Sequence, residues 1–519
     1  MQYEQREIEL KLELTGEELE RIRAKRILRE LTVGRPVIRT LRSIYFDTPD
    51  HALRNARMSL RVRRIAESWL QTAKAETGVR FGLSKPIEVE TYVSGPHPDL
   101  DIPAQQAVLG RIKALIGDQA LMRVFETVVR RTTRQLHGRC GSRIEMALDH
   151  GTISANGNSS NICEVELELK SGETSALYDL VDELFSGESV RFSTSSKAER
   201  GYRVASGEAP HTVKPKFSTN PALQKSHTIA KAFERSFRVA AQQVLGNWPV
   251  VLESNDPEGV HQFRIGLRRL RSLLRAYRPY TKSLSAQQLS DEARDLARLL
   301  SDLRDTDVLI KDIVDTAAKL YDHEAGFEAL RDMLISRTAD DRARARRTLT
   351  ENRWSSFQIR LAMFAEEPSQ LLAEKARKKL KKPIAGHSPK ALQRSWDNIV
   401  LWGRDIEQLS IKERHEMRKA LKTLRYTCEF FAPIYPQKSR QAFVRQIKLL
   451  QDIFGYLNDV AVAERLKDMT AEQANNSPEV QRAVGFLHGW HYAQSHNAWT
   501  KARTRWKKLE KFPKFWASP

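Results

Sequence analysis

The chain of 519 residues contains little cysteine and no long apolar run. Its three cysteines, Cys140, Cys163 and Cys428, are too few for a disulfide framework and lack the CxxC spacing of thiolate zinc sites. The N-terminus is charged from its fourth residue without an apolar signal core, and no segment has the composition of a spanning helix. We therefore expect a cytoplasmic protein that makes no membrane contact.

Acidic residues are scarce in only one part of the chain. Residues 1–205 contain 31 Lys and Arg against 29 Asp and Glu, whereas the remaining residues contain 55 against 36. The net charge of +21 therefore belongs almost wholly to the second part. Such a surplus predicts a polyanionic partner there, with nucleic acid, an acidic membrane surface and inorganic polyphosphate as the candidates.

The hydrophobic periodicity also divides the chain in two. Up to about residue 205, short stretches alternate polar and apolar residues and predict strands at 6–14, 41–47, 58–64, 69–75, 87–93, 142–149, 151–155 and 162–170. Helical periodicity interrupts them near 16–31, 103–117 and 173–186, and it takes over completely from about residue 221. We predict an α+β domain at 1–205, a Pro-bearing linker at 206–220 and an all-α domain at 221–519.

The helical part contains an internal repeat at an offset of 154 residues. The residues that recur are His261, Arg264, Leu267, Leu270, Arg271, Pro279 and Asp305, which return as His415, Arg418, Leu421, Leu424, Arg425, Pro433 and Asp459. Arg268 is answered by Lys422. The repeat predicts two similar helical units related by a pseudo-twofold axis, each presenting the same face.

The repeated helices each carry a row of basic side chains on one face, because the spacings are three and four residues. The basic row of the first helix consists of His261, Arg264, Arg268, Arg271 and Arg275, and that of the second consists of His415, Arg418, Lys422 and Arg425. Like charges at these spacings repel, so we expect partial compensation by Asp305, Asp307 and Asp459. The aromatics lie mostly on the apolar face, which favours a simple polyanion such as polyphosphate over nucleic acid.

The stretches VHQFRIGLRRLRSLLRAYRP, LRDTDV and RHEMRKALKTLRYTCEFFAP resemble the two halves of a CHAD domain. The resemblance covers residues 221–519 and implies two pseudo-twofold-related four-helix bundles that bind long-chain polyphosphate through the two basic rows. The chain departs from the family pattern at Ser301 and Asn458. For His261 and His415, the alternatives are a phosphate contact, packing at the pseudo-twofold seam, or a metal ligand.

The strands predicted in the first part carry charged residues on one face and aliphatic residues on the other. Aliphatic faces covered by helices would turn the charges into the lumen of a barrel. The carboxylates proposed as Mg²⁺ or Mn²⁺ ligands are Glu7, Glu9, Asp149, Glu164 and Glu166. The cations proposed to hold phosphate are Lys11, Arg61, Arg63, Lys74, Arg130 or Arg131, and Lys197. Together they predict a site for a metal-bound polyanion.

The segment Glu7-Ile-Glu-Leu-Lys11 matches the ExExK signature of CYTH domains, the triphosphate tunnel metalloenzymes. YFDTP, LRVRR, QTAK, IEMALDHGTI, CEVELELK and SKAERGY match later segments of that family in order. The resemblance covers residues 1–205 and implies an eight-stranded antiparallel tunnel, with the same carboxylates and cations as ligands. Pro86 stands where many members have Arg, so Lys85 is the substitute candidate and the roles of Glu88 and Glu90 stay open.

The preferred interpretation is an inorganic triphosphatase that hydrolyses tripolyphosphate with Mg²⁺ or Mn²⁺, joined to a helical domain that binds long-chain polyphosphate. One alternative is a non-catalytic polyphosphate-binding or targeting protein. Another is a CYTH enzyme that acts on ATP or thiamine triphosphate, and a third is nucleic-acid binding through the basic part. The sequence indicates neither the oligomeric state nor the role of Glu13.

Overall fold

A computed structural model describes residues 7–75, 78–102, 106–186, 188, 190–208, 213–282, 284–321, 326–464, 466 and 477–517. The side chains of residues 106, 107, 459 and 461–464 lie outside this description. The chain folds as two compact units, one made of Met1–Val213 with Thr350–Met363 and the other of Lys214–Leu349 with Phe364–Pro519. None of the described helices is long and apolar enough to cross a membrane.

The N-terminal unit is built on one antiparallel sheet. Its strands are β1 (Glu9–Glu13), β2 (Thr32–Asp47), β3 (Met58–Ile65), β4 (Ser68–Ala75), β5 (Leu83–Ser84), β6 (Ile87–Val93), β7 (Met122–His137), β8 (Arg143–Ala155) and β9 (Asn158–Ser171). Their order is β5-β1-β9-β8-β7-β2-β3-β4-β6. The two edge strands, β5 and β6, are neighbours in sequence, so the chain itself brings the edges of the sheet together.

Six helices accompany the sheet, namely α1 (Gly16–Ala24), α2 (Arg26–Leu31), α3 (Ala52–Asn55), α4 (Gln106–Ile116), α5 (Ser175–Leu184) and α6 (Lys197–Ala205). The apolar faces of the strands pack beneath them. Leu60, Val62 and Ala73, for example, join Leu109 and Ile112 of α4 in one buried cluster. Covering these faces leaves the opposite, charged faces of the strands turned inward, as the sequence predicts.

The sheet differs from the prediction at three places. It has nine strands among the described residues rather than eight, because the two-residue strand β5 pairs with β1. Strand β7 was not predicted, because its run from Met122 to His137 mixes polar and apolar residues on both faces. The two strands predicted at 142–149 and 151–155 form one continuous strand, β8. Residue 6, the first of the predicted strand 6–14, lies outside the described residues.

The C-terminal unit is helical. The α-helices described from residue 229 onwards are α7 (Ile229–Glu253), α8 (Pro257–Ala276), α9 (Leu284–Leu299), α10 (Ser301–Val308), α11 (Asp315–Leu320), α12 (Gly326–Leu349), α13 (Asn352–Glu366), α14 (Arg377–Leu380), α15 (Ser388–Gly403), α16 (Ile411–Phe431), α17 (Gln437–Glu464) and α18 (Pro478–Glu510). A π-helical stretch, Leu309–Val314, joins α10 to α11. Most of α13, as far as Met363, is grouped with the N-terminal unit.

The two basic helices each begin with a side-chain cap. Asp256 caps α8 by accepting a hydrogen bond from the Glu258 amide at 2.8 Å. Ser410 and Glu413 form the capping box that begins α16. The first residues of these helices, Pro257 and Ile411, are themselves 154 positions apart, so the sequence repeat continues into the helix boundaries.

The contacts between α8 and α16 follow a pseudo-twofold relation. Arg269 of α8, only 2% exposed, forms an ion pair with Glu429 of α16. At the offset of 154, Arg269 corresponds to Thr423 and Glu429 corresponds to Arg275. Arg275 and Thr423 also meet, with Nη1 and Oγ1 3.5 Å apart. A pair and its exchanged copy define a self-complementary interface, as expected for two units related by a twofold axis.

We predict that Glu429→Gln lowers the free energy of unfolding of the helical unit by about 1–3 kcal/mol, because Arg269 would keep its buried charge without a counter-charge. The matched control on the same helix is Glu416→Gln, whose partner Lys419 is exposed and whose loss should cost about 0–0.5 kcal/mol. Chemical unfolding followed by circular dichroism compares the two variants. Equal stability of both would contradict a buried ion pair at this seam.

Candidate active site: a charged cavity inside the sheet

The inward faces of the strands enclose a cavity of about 360 Å³. Its lining combines side chains of both charges from strands all around the sheet. The charged lining residues are Glu7, Glu9, Lys11, Arg39, Arg61, Arg63, Lys74, Glu88, Glu90, Arg131, Glu145, Glu166, Glu168, Lys170 and Lys197. Since unpaired buried charges are costly, these groups are expected to pair with one another or with a charged ligand.

The structure resolves the placement of Arg130 and Arg131, which alternation alone left open. Arg131 lines the cavity and contacts Asp149, with Nε–Oδ1 at 2.8 Å and Nη2–Oδ2 at 2.6 Å. Arg130, one residue earlier on β7, is exposed on the other face. Lys85 is half-buried and does not contribute to the described lining, where Pro86 stands instead. The structure therefore does not bring Arg130 and Lys85 to the cavity.

One acidic cluster consists of Asp149 on β8 and Glu164 and Glu166 on β9. Asp149 and Glu164 are directly opposite in the strand pairing, and one oxygen from each of the three residues lies within 4.8 Å of the others. Glu166 faces the cavity, whereas Asp149 and Glu164, which are 0% and 2% exposed, lie behind it. The structure thus brings together three of the five carboxylates proposed as metal ligands.

Lys197, the first residue of α6, is inserted among these carboxylates. Its Nζ lies 2.7 Å from Asp149 and 3.0 Å from Glu166, and it also pairs with Glu164. Burial alone would lower the pKa of Lys197, but the three carboxylates outweigh burial and raise it above the ordinary value. For Glu166, burial would raise the pKa, but Lys11, Lys197 and Arg131 hold it well below its usual range. Lys197 and Glu166 are therefore charged.

A second acidic group is formed by Glu7 and Glu9, next to Glu88 of β6. Lys74 bridges part of it, with Nζ 3.3 Å from Glu7 and a shorter contact to Glu88. Burial and a hydrogen bond to Glu88 raise the pKa of Glu7 to about 8. Burial opposes the ionisation of Glu88, but Lys74 and the hydrogen bond from Glu7 lower its pKa to about 2. The two carboxyl groups thus share one proton.

The Glu7–Glu88 contact also joins the two edges of the sheet. Glu7 precedes β1, which pairs with β5, while Glu88 lies on β6 at the other edge. The departure at Pro86 therefore does not remove Glu88 from the site. Glu90, two residues later, lines the cavity and lies 3.8 Å from Arg61. Tertiary structure brings both residues, whose roles the sequence left open, to the cavity.

Arginine side chains occupy the wall formed by β3. Arg61 lies 3.4 Å from Glu88, and the Nε of Arg63 donates a hydrogen bond to Ser43 Oγ at 3.0 Å. Burial, followed by repulsion from Arg61 and Arg131, lowers the pKa of Arg63 to about 10. An anion bound here would relieve this repulsion. The predicted cations that line the cavity are Lys11, Arg61, Arg63, Lys74, Arg131 and Lys197.

The carboxylates fit a hard divalent cation. Their donors are oxygens, which Mg²⁺ and Mn²⁺ prefer, and two carboxyl groups that share a proton mark a place where a cation would replace that proton. The cluster of Asp149, Glu164 and Glu166 is already neutralised by Lys197 and Arg131. A cation seated there would compete with these side chains. In the other group, Lys11 pairs with Glu9, Lys74 pairs with Glu7 and Glu88, and Arg61 pairs with Glu88.

Several residues of the site were not predicted from the sequence. Arg200 of α6, 2% exposed, pairs with Glu164 at 3.0 Å and donates to the Asn161 carbonyl at 2.8 Å. Glu145, Glu168 and Lys170 line the cavity. All three follow the alternation of β8 and β9 that predicts an inward charged face, although they were not among the proposed ligands. Arg200 lies on a helix, which the strand pattern does not cover.

Helix α6 is fixed in place by a buried hydrogen bond. The Tyr202 hydroxyl donates to Asp47 Oδ2 at 2.6 Å, and Asp47 also accepts from the amides of Leu53 and Arg54. Gly201 lies against Phe125, where an added Cβ would come within 2.1 Å of the ring. Asp47 and Gly201 thereby determine where α6 inserts Lys197.

The basic rows of the C-terminal unit are partly engaged within the fold. Arg264 donates to the Ala297 carbonyl, and Arg425 contacts Glu429 at 3.0 Å and Gln451 at 3.1 Å. Burial, followed by Arg275, Arg294 and Arg298, lowers the pKa of Arg271 to about 10. The unit therefore holds arginines whose charge is incompletely compensated.

The histidines of the two rows lie among cations. Burial, with Arg304, Arg268 and Lys422 nearby, lowers the pKa of His261 to about 3. Lys422 belongs to the second basic row, so charges of both halves act on this group. His415 Nδ1 lies 3.2 Å from the Asn458 amide oxygen. Positive surroundings disfavour a metal ion at His261 and agree with an anion contact.

The carboxylates expected to compensate the basic rows behave differently from one another. Asp305 acts on Arg264, where it favours the charged form. Asp307 instead pairs with Arg342 at 3.7 Å on α12, so its assignment to the basic row was wrong. The side chain of Asp459 lies outside the described residues.

The fold and the sites define a two-part class of protein, in which a curled sheet around a cavity of mixed charge precedes a duplicated basic helical unit. The CYTH domain model matches residues 5–202, and the CHAD domain model matches residues 235–468. The chain therefore contains a CYTH domain followed by a CHAD domain.

Two curated relatives each match part of the chain. An inorganic triphosphatase of Haemophilus influenzae is 33% identical over 214 residues, which is 38% of this chain and 55% of that protein. An uncharacterised protein of Mycobacterium tuberculosis is 25% identical over 287 residues, or 52% of each chain. The chain thus spans about half the length of these curated relatives.

Among solved structures, the CHAD domain of Ricinus communis has 25% identity and a TM-score of 0.49, covering 58% of this chain and 99% of its own. A Hippeastrum protein described as a putative adenylyl cyclase with a dominant triphosphatase activity has 18% identity and a TM-score of 0.30. It covers 39% of this chain and 97% of its own.

We predict that Tyr202→Phe loosens α6, because the buried Asp47 carboxylate loses one hydrogen-bond donor at a cost of about 1–3 kcal/mol. Hydrogen exchange followed by mass spectrometry should show faster exchange in residues 197–205 than in the unaltered protein. The matched control is Tyr92→Phe, since Tyr92 is 71% exposed. Equal protection of α6 in both variants would show that the Asp47 contact does not hold the helix.

Proposed function

We propose that the N-terminal domain is a metal-dependent inorganic triphosphatase that cleaves tripolyphosphate to pyrophosphate and phosphate. The observation that carries this proposal is the cavity in which carboxylates on β1 and β9 stand close to six predicted phosphate-binding cations. A carboxylate wall suits a divalent cation and a guanidinium wall suits phosphate oxygens. The similarity to the Haemophilus influenzae triphosphatase supports the same activity.

The lining favours an inorganic substrate over a nucleotide. Among the described lining residues Tyr45 alone is aromatic, and its ring already stacks on Phe125 with centroids 4.3 Å apart. A purine or thiazole ring would therefore find no free aromatic surface inside the cavity. Arginine forks and lysines are sufficient to bind a short phosphate chain, because such a chain consists only of anionic oxygens.

In the proposed reaction, the carboxylates and the cations of the cavity have different roles. Glu7 and Glu9, with Asp149, Glu164 and Glu166, would hold Mg²⁺ or Mn²⁺, which supplies Lewis-acid stabilisation of the charge that develops on phosphate oxygens. Arg61, Arg63, Lys74 and Arg131 would orient the chain of phosphates, and Lys11 and Lys197 would neutralise its remaining charge. The buried position of these groups strengthens their attraction for phosphate, because water screens them little.

We further propose that the C-terminal domain binds long-chain polyphosphate along the basic rows of α8 and α16. The pseudo-twofold relation places two copies of one charge pattern in the same unit, which suits a polymer with repeating charge. We also propose the boundaries 1–205, 206–220 and 221–519 for the CYTH domain, linker and CHAD domain. The division of the chain between Val213 and Lys214 supports a linker at that place.

For the catalytic proposal, we expect phosphate release from tripolyphosphate in the presence of Mg²⁺ or Mn²⁺, with ATP and thiamine triphosphate at least about tenfold slower in kcat/KM. Excess EDTA should abolish the release. A preference for ATP or thiamine triphosphate would replace the inorganic substrate with another triphosphate. Absence of hydrolysis of all three would favour a binding protein.

The variants Glu7→Gln and Glu9→Gln should lower kcat/KM by more than about 100-fold, since each removes a charged metal donor while keeping the side-chain shape. Glu20→Gln serves as the control, because Glu20 is an exposed residue of α1 that pairs only locally with Arg23. Circular dichroism establishes that the variants are folded. Unaltered activity in both the Glu7 and the Glu9 variant would contradict their assignment as metal ligands.

For the binding proposal, the alanine variant at Arg264, Arg271, Arg418 and Arg425 should weaken long-chain polyphosphate binding at least about tenfold in calorimetry on the intact chain. The charge-matched control replaces Lys282, Lys319, Lys448 and Lys501, all exposed in the same unit. An equal loss in both variants would mean that net charge alone binds the polymer. Competition by DNA at physiological salt would favour nucleic-acid binding instead.

A further inference from the structure

A second cavity, of about 670 Å³, lies in the C-terminal unit between α16, α17 and α18. Its wall contains three arginines, Arg414, Arg418 and Arg503, together with two histidines. The one acidic lining residue among those described, Glu407, already pairs with Lys507 at 3.1 Å. A volume in the range of about 300–1,000 Å³ is typical of small-molecule sites. The positive charge of the lining favours an anion as the ligand.

Aromatic rings distinguish this cavity from the tunnel. Trp499, Tyr492 and Phe454 line it. Trp499 carries the Arg414 guanidinium over its ring at 3.8 Å and meets Phe454 edge-on, with centroids 6.0 Å apart. Tyr492 is 70% exposed and belongs to the lining, so it presents a surface on which a planar ring can stack.

The residues that line this cavity also differ from the residues at the equivalent positions in the first half of the repeat. At the offset of 154, Arg414 corresponds to Val260, which is fully buried. Helix α12 shifted by 154 covers residues 480–503 and falls within α18. On that alignment Trp499 and Arg503 correspond to Ala345 and Leu349, both buried and apolar. The second half of the repeat therefore has cations and an aromatic ring at positions where the first half has apolar residues. These side chains are not part of the duplicated basic row.

The arginines of this cavity are held close to one another. The Nε of Arg414 donates to the Leu409 carbonyl at 2.9 Å, which fixes the side chain against Trp499. Burial, and then repulsion from Arg503, lowers the pKa of Arg414. A bound anion would remove this repulsion, whereas a neutral aromatic ligand would leave it unchanged.

We propose that this cavity binds a nucleoside phosphate, with the phosphates on Arg414, Arg418 and Arg503 and the base stacked on Tyr492. Aromatic stacking of a base changes affinity by roughly 5-fold to 100-fold, and arginine is the side chain best suited to phosphate oxygens. Inorganic polyphosphate would use the arginines but would gain nothing from the rings. The site is separate from the tunnel, so the proposal does not depend on triphosphatase activity.

The test is calorimetric titration of the intact chain with ADP and, separately, with pyrophosphate, in EDTA to suppress metal-dependent turnover. We expect ADP to bind at least about fivefold more tightly than pyrophosphate, because only ADP carries a base. Tyr492→Ala should weaken ADP binding at least about fivefold and leave pyrophosphate binding unchanged. Arg503→Gln should weaken both ligands at least about threefold, whereas the control Lys501→Gln, at an exposed position two residues away, should change neither.

Two results would overturn the proposal. Equal affinities for ADP and pyrophosphate, unaffected by Tyr492→Ala, would show that no base is recognised. A loss of long-chain polyphosphate binding in Tyr492→Ala as large as its loss of ADP binding would assign the cavity to the polymer. Because Tyr492 lies outside the tunnel lining, neither result bears on hydrolysis of tripolyphosphate.

Discussion

The structure of the N-terminal domain depends on compensation between charges that the sheet turns inward. A curled sheet whose aliphatic faces are covered by helices must enclose whatever its other faces carry, and here they carry Glu, Lys and Arg. An isolated ion buried in protein costs several kcal/mol, so each carboxylate needs a cation within contact distance. Lys197 among Asp149, Glu164 and Glu166 is the clearest case. The same pairing keeps the cavity open to a metal and a phosphate chain, since both can exchange with the internal partners.

The two domains use basic side chains in different ways. In the tunnel, arginines and lysines face acids across a small enclosed space, so charge is nearly balanced before any ligand arrives. In the helical domain, burial and then neighbouring cations lower the pKa values of Arg264 and Arg271 to about 10. A balanced site favours a metal together with an anion, whereas an unbalanced row favours an anion alone. This contrast explains why one chain can carry both proposed functions.

Much of the fold could be predicted because its signals are local. Alternation located seven of the nine described strands, although it divided β8 in two, and helical periodicity with the repeat located the two basic helices, α8 and α16. Strand β7 was missed because its polar residues occur on both faces, and β5 was missed because two residues form no pattern. Arg200 and the pairing of Asp47 with Tyr202 could not be read from the sequence, since these partners are 36 and 155 residues away.

The sequence by itself determined which side chains share a strand or helix face, because periods of 2.0 and 3.6 residues follow from backbone geometry alone. It therefore specified Glu7, Glu9 and Lys11 as one row and the two basic rows as copies. Only the tertiary structure decided which rows meet. Register placed Arg131 inside and Arg130 outside, closure of the sheet joined Glu7 to Glu88, and Glu13 at the end of β1 received a hydrogen bond from Ser193. Such contacts depend on strand order and helix packing, which join residues far apart in sequence and have no local signal.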